Sequence, residues 1–252
     1  MTGPRRIDFG QAIKRRDKRV GDLKKVFEQA KRYAAVKEAY VKDNSLSYPK
    51  TDLKMEAMIP YVTGKKPIIF NAQRARDIRG VIKFVEDMKV KGIIFGGTEA
   101  WKETQGLKKN NISVIYTRIH SNPSNQDDPY DANFETPSKL MKAGVKFSIS
   151  TGDNGANVRE LPYQAGMASA YGLSKSDALK SVTLFPAQIL GVDRMVGSLE
   201  VGKVANVVVT DGDLLEVRTR IKHMFITGRK IPLTSRHTEF FEAFKDRKLQ
   251  TK

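Results

Sequence analysis

The sequence predicts a mixed α/β fold with a parallel sheet built from about four strand–helix units. Four apolar runs, PIIFNA, KGIIFGG, ISVIYTR and VKFSIST, follow one another along the middle of the chain, and a helical segment follows each of them. Strands and helices that alternate at this spacing are typical of βαβ units, which place their strands in parallel. The count is about half of that in a closed TIM-type (β/α)8 barrel, so we predict a partial barrel.

Residues 1–64 are predicted to form a helical segment of their own. The stretch GDLKKVFEQAKRYAAVKEAYVKD carries apolar residues at helical spacing, and Asp22 is suited to the N-cap. A shorter helix is predicted in TDLKMEAMIPYVTG, where Gly64 closes it.

Residues 65–192 are predicted to hold the half-barrel, and residues 193–252 a small β structure and a last helix. After the fourth apolar run, YQAGMASAYG and SKSDALKSVTLFPAQILG each predict one helix. The pieces VGSLEVGKVANVVVTDGD and IKHMFITGRKI are short, β-rich and punctuated by Gly and Asp, which predicts a separate small sheet. The tail SRHTEFFEAFKDRK predicts the final helix.

Composition excludes several functions. The absence of cysteine excludes disulfides, thiolate metal sites and cysteine nucleophiles. The 45 Lys and Arg residues against 28 Asp and Glu residues give a net charge of +17. An anionic partner must therefore be considered. The densest basic block, RRIDFGQAIKRRDKRVGDLKK, lacks the interleaved aromatic residues of a nucleic-acid stacking platform, so we expect a solvated basic surface and no specific nucleic-acid partner.

Hydropathy predicts no membrane partner. No apolar run approaches the roughly 20 residues that span a bilayer, and no apolar core follows the basic start. We expect a cytoplasmic protein as the sequence is written. The alternative that a full-length relative is exported stays open.

The C-terminal third carries a family resemblance. LKSVTLFPAQILGVDRMVGSLEVGKVANVVVTDGD, with its Thr-x-x-Pro-Ala element at Thr183 to Ala187, and IKHMFITGRKI resemble the end of metal-dependent amidohydrolases of the imidazolonepropionase-like branch. VFEQAKRYAAVKEA and GGTEAWK resemble earlier parts of these proteins. The resemblance implies barrel strands five to eight followed by part of a β-sandwich. It also implies that the first half of the barrel is missing and that the N-terminal helices are an insertion.

The resemblance also implies a chemistry and a set of positions for it. Amidohydrolases hydrolyse carbon–nitrogen bonds other than peptide bonds, and cyclic amides are the type of substrate expected for this branch. A divalent metal such as zinc activates the attacking water. The fifth-strand histidine of the family falls at Asn71, and a further polar ligand position at Gln73. Gly96 and Gly97 stand at the end of the sixth strand, where many members carry histidine.

The remaining site candidates lie after the third and fourth apolar runs. Asp153 fits the position of the family's catalytic acid and metal ligand, and an Asx turn is the competing interpretation. His120 is a second candidate metal ligand, although a loop histidine without that role is the commoner case. Arg159 and Tyr163 are candidates for a substrate pocket together with Asn71, Gln73 and His120. The competing interpretations are that Arg159 is a solvated loop residue and that Tyr163 belongs to the core. The amides of FGGTEAWK are a further candidate for holding an anion, and tight packing of the strand against a helix explains the diglycine equally well.

We therefore expect the isolated chain to bind no cofactor and to be inactive, as a truncated form or a pseudoenzyme. Zinc or another divalent ion is expected only if a partner completes the family site. A second chain that supplies the first half-barrel and a homodimer are the candidate partners, with a small-molecule substrate if the protein is active. The alternatives are a non-catalytic binding module derived from an amidohydrolase and a basic protein that binds anions or nucleic acid.

Overall fold

The computed structural model describes residues 9–152 and 155–247, which divide into two units. Among these residues, unit 1 comprises 9–118, 124–126 and 139–146, and unit 2 comprises 119–123, 127–138, 147–152 and 155–247. The three-part division predicted from the sequence patterns, at 1–64, 65–192 and 193–252, stays a prediction.

Helices and strands alternate in the first half of the chain as the sequence predicts. In order, the elements are α1 (Phe9–Lys42), α2 (Leu53–Val62), β1 (Ile68–Ala72), α3 (Ala75–Met88), β2 (Gly92–Gly96), a short 3-10 helix (Ala100–Lys102), α4 (Thr104–Lys109), β3 (Ser113–Tyr116), α5 (Ala132–Lys142) and β4 (Phe147–Ile149). All four strands fall on the predicted apolar runs.

The strands form a four-stranded sheet in the order β1-β2-β3-β4. The β1–β2 and β2–β3 pairs are parallel, with Asn71 opposite Phe95 and Phe95 opposite Ile115. The predicted mixed α/β fold with a parallel sheet is confirmed. Because parallel strands in one sheet end at the same edge, Asn71 and the residues after β2 share the C-terminal edge.

The two faces of β1 differ in their surroundings. Successive side chains of a strand point to opposite faces. Phe70 lies on the face covered by α3, where its ring centroid is 5.7 Å from that of Phe84. Ile69 lies on the opposite face and is 56% exposed, and Asn71 shares that face and is also exposed. Apolar surface is therefore left open on the side of β1 that faces away from α3.

The first helix begins earlier than predicted. It starts at Phe9, so Asp22 lies inside the helix and the predicted N-cap is wrong. The residues QAIKRRDKR before it are mostly strong helix formers, and a single interior glycine such as Gly21 costs only about 1 kcal/mol, which does not end a helix of this length.

The predicted single helix after Ser174 is two helices. α6 (Leu161–Ala170) follows a 3-10 segment at Gly155–Glu160, and α7 (Lys175–Ser181) is separated from α8 (Leu184–Leu190). Thr183 leaves the helical region, with φ −131° and ψ −82°. Pro186 accounts for the break, because proline has no N–H for the carbonyl of Val182 and its ring crowds that carbonyl.

The C-terminal region of unit 2 forms a three-stranded antiparallel sheet and a last helix. The strands β5 (Val207–Thr210), β6 (Ile221–Ile226) and β7 (Arg229–Ile231) lie in that order, and α9 (Arg236–Phe244) follows them. The predicted small sheet and final helix are confirmed, whereas the β-sandwich stays a prediction.

No helix within residues 9–152 and 155–247 combines the length and the apolar character that crossing a bilayer demands.

Candidate functional site

Polar side chains gather in unit 1 where β1 and β2 end. The Gln73 Oε1 atom accepts a hydrogen bond of 2.7 Å from the Thr98 hydroxyl. The Gln73 amide also packs directly over Gly96, where an added Cβ would lie only 2.1 Å from Nε2, and the φ of +112° at Gly96 favours glycine. Gln73 is therefore held in place by the loop that follows β2, while Asn71 stays exposed.

A buried carboxylate, Glu99, joins three segments at this edge. Glu99 is 7% exposed. Its Oε2 atom accepts a hydrogen bond of 2.7 Å from the backbone N–H of Ala75, the first residue of α3. Its Oε1 atom accepts hydrogen bonds from the side-chain amide of Asn125 and, at 3.3 Å, from the ammonium group of Lys102. A carboxylate at the N-terminus of a helix is also favoured by the helix dipole.

These contacts keep Glu99 ionised. Burial alone acts to raise the pKa of its carboxyl group. The hydrogen bonds from Ala75, Asn125 and Lys102 act in the opposite direction and outweigh burial, so the pKa of Glu99 lies below its ordinary value. The edge of the sheet therefore carries a fixed negative charge that already accepts three hydrogen bonds from the protein.

Backbone amides of FGGTEAWK, the candidate anion site, donate hydrogen bonds within the protein. The Gly97 N–H donates to the Ala72 carbonyl at 2.8 Å, and the Glu99 N–H donates to the Gln73 carbonyl at 2.9 Å. The Ala100 N–H donates to the Gly97 carbonyl at 2.9 Å. Because these backbone donors already have carbonyl partners, the loop does not present them to a bound anion.

Unit 2 holds three other predicted site residues. The Nδ1 atom of His120 lies 3.9 Å from the Glu160 carboxylate, a contact that becomes an ion pair when the imidazole is protonated. Glu160 closes the 3-10 segment that also carries Arg159, which is exposed. Tyr163 is half-buried in the first turn of α6. His120 and the Arg159 segment therefore belong to one local cluster.

The chain matches the sequence profile of the Amidohydrolase family over residues 28–251. It belongs to the amidohydrolase family. No match is found among curated proteins.

The chain is also similar to solved structures, two of which are described as amidohydrolases. The amidohydrolase of Thermotoga maritima MSB8 is 29% identical, with a TM-score of 0.71, and the match covers 84% of this chain and 55% of that one. A protein described as uncharacterized is 19% identical with a TM-score of 0.53, covering 71% of this chain and 47% of that one. A further amidohydrolase is 18% identical with a TM-score of 0.51, covering 65% and 44%.

The last two likenesses support the fold alone. This chain spans about half the length of the solved structures that it matches. Its four-stranded sheet is consistent with part of the TIM-type barrel of amidohydrolases.

The side chains at the β1 and β2 ends of this amidohydrolase-family chain do not suit a transition-metal ion. Asn71 and Gln73 offer neutral amides, which bind such ions poorly. Gln73 is bonded to Thr98, and Glu99 is bonded to three donors of the protein. Within residues 9–152 and 155–247, no three His, Cys, Asp or Glu side chains converge as metal ligands do.

The structure places the predicted residues in two groups and adds one that the sequence did not reveal. Asn71 and Gln73 lie at one strand end, and His120, Arg159 and Tyr163 belong to unit 2. Asp153 lies outside the described residues, so its role as acid or metal ligand stays a prediction. Sequence reasoning missed Glu99, although an acidic residue two positions after a diglycine at a strand end is a usable signal. Asn125 gave no signal in the sequence.

Proposed function

We propose that this chain contributes one part of a hydrolase that acts on carbon–nitrogen bonds other than peptide bonds, and that the isolated chain is inactive. The family match over residues 28–251 carries the proposal. The resemblance to the imidazolonepropionase-like branch supports cyclic amides as the substrate class. Asp153 is the proposed acid, and His120, Arg159 and Tyr163 are the proposed pocket residues.

The side chains at the C-terminal edge of the sheet support inactivity of the chain alone. Histidine and carboxylate side chains are the usual ligands of hydrolytic zinc. Here the end of β1 presents the amides of Asn71 and Gln73, and the carboxylate of Glu99 is engaged in three hydrogen bonds with the protein. We therefore assign the missing metal ligands to a second polypeptide, and propose zinc or another divalent ion only for the completed site.

The open face of β1 supports a partner that completes the barrel. Ile69 is 56% exposed, and Phe95 and Ile115, which lie on the same face in the neighbouring strands, are half-buried. Exposed apolar patches on a sheet are typical of surfaces that another chain covers. The Thermotoga maritima amidohydrolase contains a length of chain that this protein does not cover, and that part is the model for the partner. A homodimer is the competing assembly.

Complementation tests the proposal. Hydrolysis of a panel of cyclic amides would be measured with zinc for the chain alone, for the uncovered part of the Thermotoga maritima protein alone, and for their mixture. Only the mixture is expected to show turnover. In the mixture, Asp153→Asn is expected to abolish activity, because it removes the proposed acid, while Asp127→Asn, an exposed loop substitution, retains it.

Two results would contradict the proposal. Turnover by the chain alone would show that the metal ligands are complete without a partner. A mixture that neither sediments as a complex nor hydrolyses any cyclic amide would favour the non-catalytic binding module.

A further inference from the structure

We propose that unit 1 carries a separate ligand site, a groove between α1 and α3 that binds a small amphipathic organic anion. The groove has a volume of about 610 Å³, within the range typical of small-molecule sites. It is lined by residues of α1, of α3 and by Phe70 of β1. None of the predicted amidohydrolase site residues lines it, so this site goes beyond the proposed hydrolase function.

The floor and one wall of the groove are apolar. Phe70 and Phe84 line the groove, and their ring centroids lie 5.7 Å apart in an edge-on arrangement. Val20 and Leu23 of α1 also line it and are 39% and 44% exposed, respectively. Aromatic rings beside exposed aliphatic side chains favour an aryl or alkyl group as the body of the ligand.

The rim of the groove is basic. Four cationic side chains and two carboxylates line it, namely Arg16, Lys24, Arg76 and Lys83 against Asp17 and Asp77. Both carboxylates are paired with the adjacent arginine, at 2.7 Å for Arg16–Asp17 and 3.3 Å for Arg76–Asp77. Lys24 is paired with Asp87 at 2.6 Å, and the charge of Lys83 also acts on Asp87 without a contact of ion-pair length among the described residues. The charge pattern therefore favours an anionic ligand, and Lys83, which has no close ion pair among the described residues, is the cation that we expect to contact it.

Two glycines keep the groove open. Gly21 on α1 and Gly80 on α3 both line it, and a Cβ added at either position would meet no atom within 4 Å. Because both positions lie inside helices, larger residues fit the backbone there and would project into open space. The volume of the groove matches a small organic ligand.

Gly80→Leu gives a direct test, because the leucine side chain would fill the groove. The probes are anilinonaphthalene sulfonate, an aryl anion, and phenylnaphthylamine, which has the same rings without the charge. We expect the wild type to bind the sulfonate more tightly than the neutral probe, and Gly80→Leu to weaken both by about tenfold or more. Gly21→Leu, which fills the groove from the other wall, is expected to act in the same way.

Charge reversal distinguishes the contribution of the basic rim to probe binding from that of the apolar floor. Lys83→Glu is expected to weaken only the sulfonate, by about fivefold, as for a partly exposed charge pair. Lys142→Glu on α5 makes the same change of net charge at an exposed position outside the groove and is expected to leave binding unchanged. Thermal unfolding followed by circular dichroism establishes that each variant is folded.

Three results would overturn the proposal. Sulfonate affinity that is unchanged in both glycine variants would place the probe elsewhere, for example on the open face of β1. Equal effects of Lys83→Glu and Lys142→Glu would mean that net charge, and not the rim, attracts the anion. Loss of self-association in Gly80→Leu would mean that a second copy of the chain occupies the groove.

Discussion

Replacement of Phe84 by alanine is expected to lower the free energy of unfolding by about 3–5 kcal/mol. Phe84 on α3 is 5% exposed. Its ring packs edge-on against Phe27 of α1 at 5.3 Å and against Phe70 of β1 at 5.7 Å. The substitution removes the ring that connects these three elements and leaves a cavity that the two remaining rings cannot fill.

Urea denaturation of the wild type and the variant measures this loss. The matched control is Phe241→Ala on α9, because Phe241 is 65% exposed and its loss is expected to cost less than about 1 kcal/mol. If the two variants lose the same free energy of unfolding, the contact between α1, α3 and β1 is not part of the core.

Replacement of Glu99 by alanine is expected to cost about 2–4 kcal/mol of the free energy of unfolding. The buried carboxylate accepts hydrogen bonds from Ala75, Asn125 and Lys102. Without it, the N–H at the start of α3 loses its acceptor, and the Asn125 amide and the Lys102 ammonium group each lose one of their contacts. An Asn125→Ala variant, which removes one donor and leaves the carboxylate, is expected to cost less.

The contribution of Glu99 should also depend on pH in a defined direction. Its pKa is lowered in the folded chain from a starting value of 4.5. The stability that it provides is therefore fully present above pH 4.5 and is lost as the pH falls from 4.5 through the folded pKa. The difference in free energy of unfolding between the wild type and Glu99→Gln is expected to shrink over that interval.

Urea titrations at neutral pH and at several values below 4.5 measure this difference. Glu28→Gln, at an exposed position of α1, is the matched control and is expected to show little difference at any pH. A constant difference between the wild type and Glu99→Gln across the acid range would contradict the assigned hydrogen bonds.

Most of the fold could be predicted from local sequence, because apolar runs and helical spacing are local signals. The four parallel strands fall where PIIFNA, KGIIFGG, ISVIYTR and VKFSIST predict them. The two errors concern helix boundaries. A glycine and a capping residue stand together at Gly21 and Asp22 and predict the start of α1 there, although the preceding residues favour helix as strongly. The break between α7 and α8 follows from Pro186. A proline disrupts the helical turn that precedes it, so the break lies several residues before the proline itself.

The candidate site was only partly predictable. Asn71 and Gln73 could be placed at a strand end because they directly follow an apolar run. Glu99 could not be assigned a role, because its partners Ala75 and Asn125 lie 24 and 26 residues away in sequence. Such contacts exist only after the chain has folded, and neither a backbone N–H nor a loop asparagine marks itself in a sequence as the partner of a distant carboxylate.

The zinc content of the isolated chain tests the central claim most directly. Elemental analysis after mild dialysis against zinc-free buffer is expected to find no stoichiometric zinc, because amides and glycines stand at the strand ends where the family's ligands are expected. The matched variants are His120→Ala and His223→Ala, the second at an exposed position of β6. One zinc retained per chain, lost in His120→Ala and kept in His223→Ala, would contradict the account and place a complete metal site around His120.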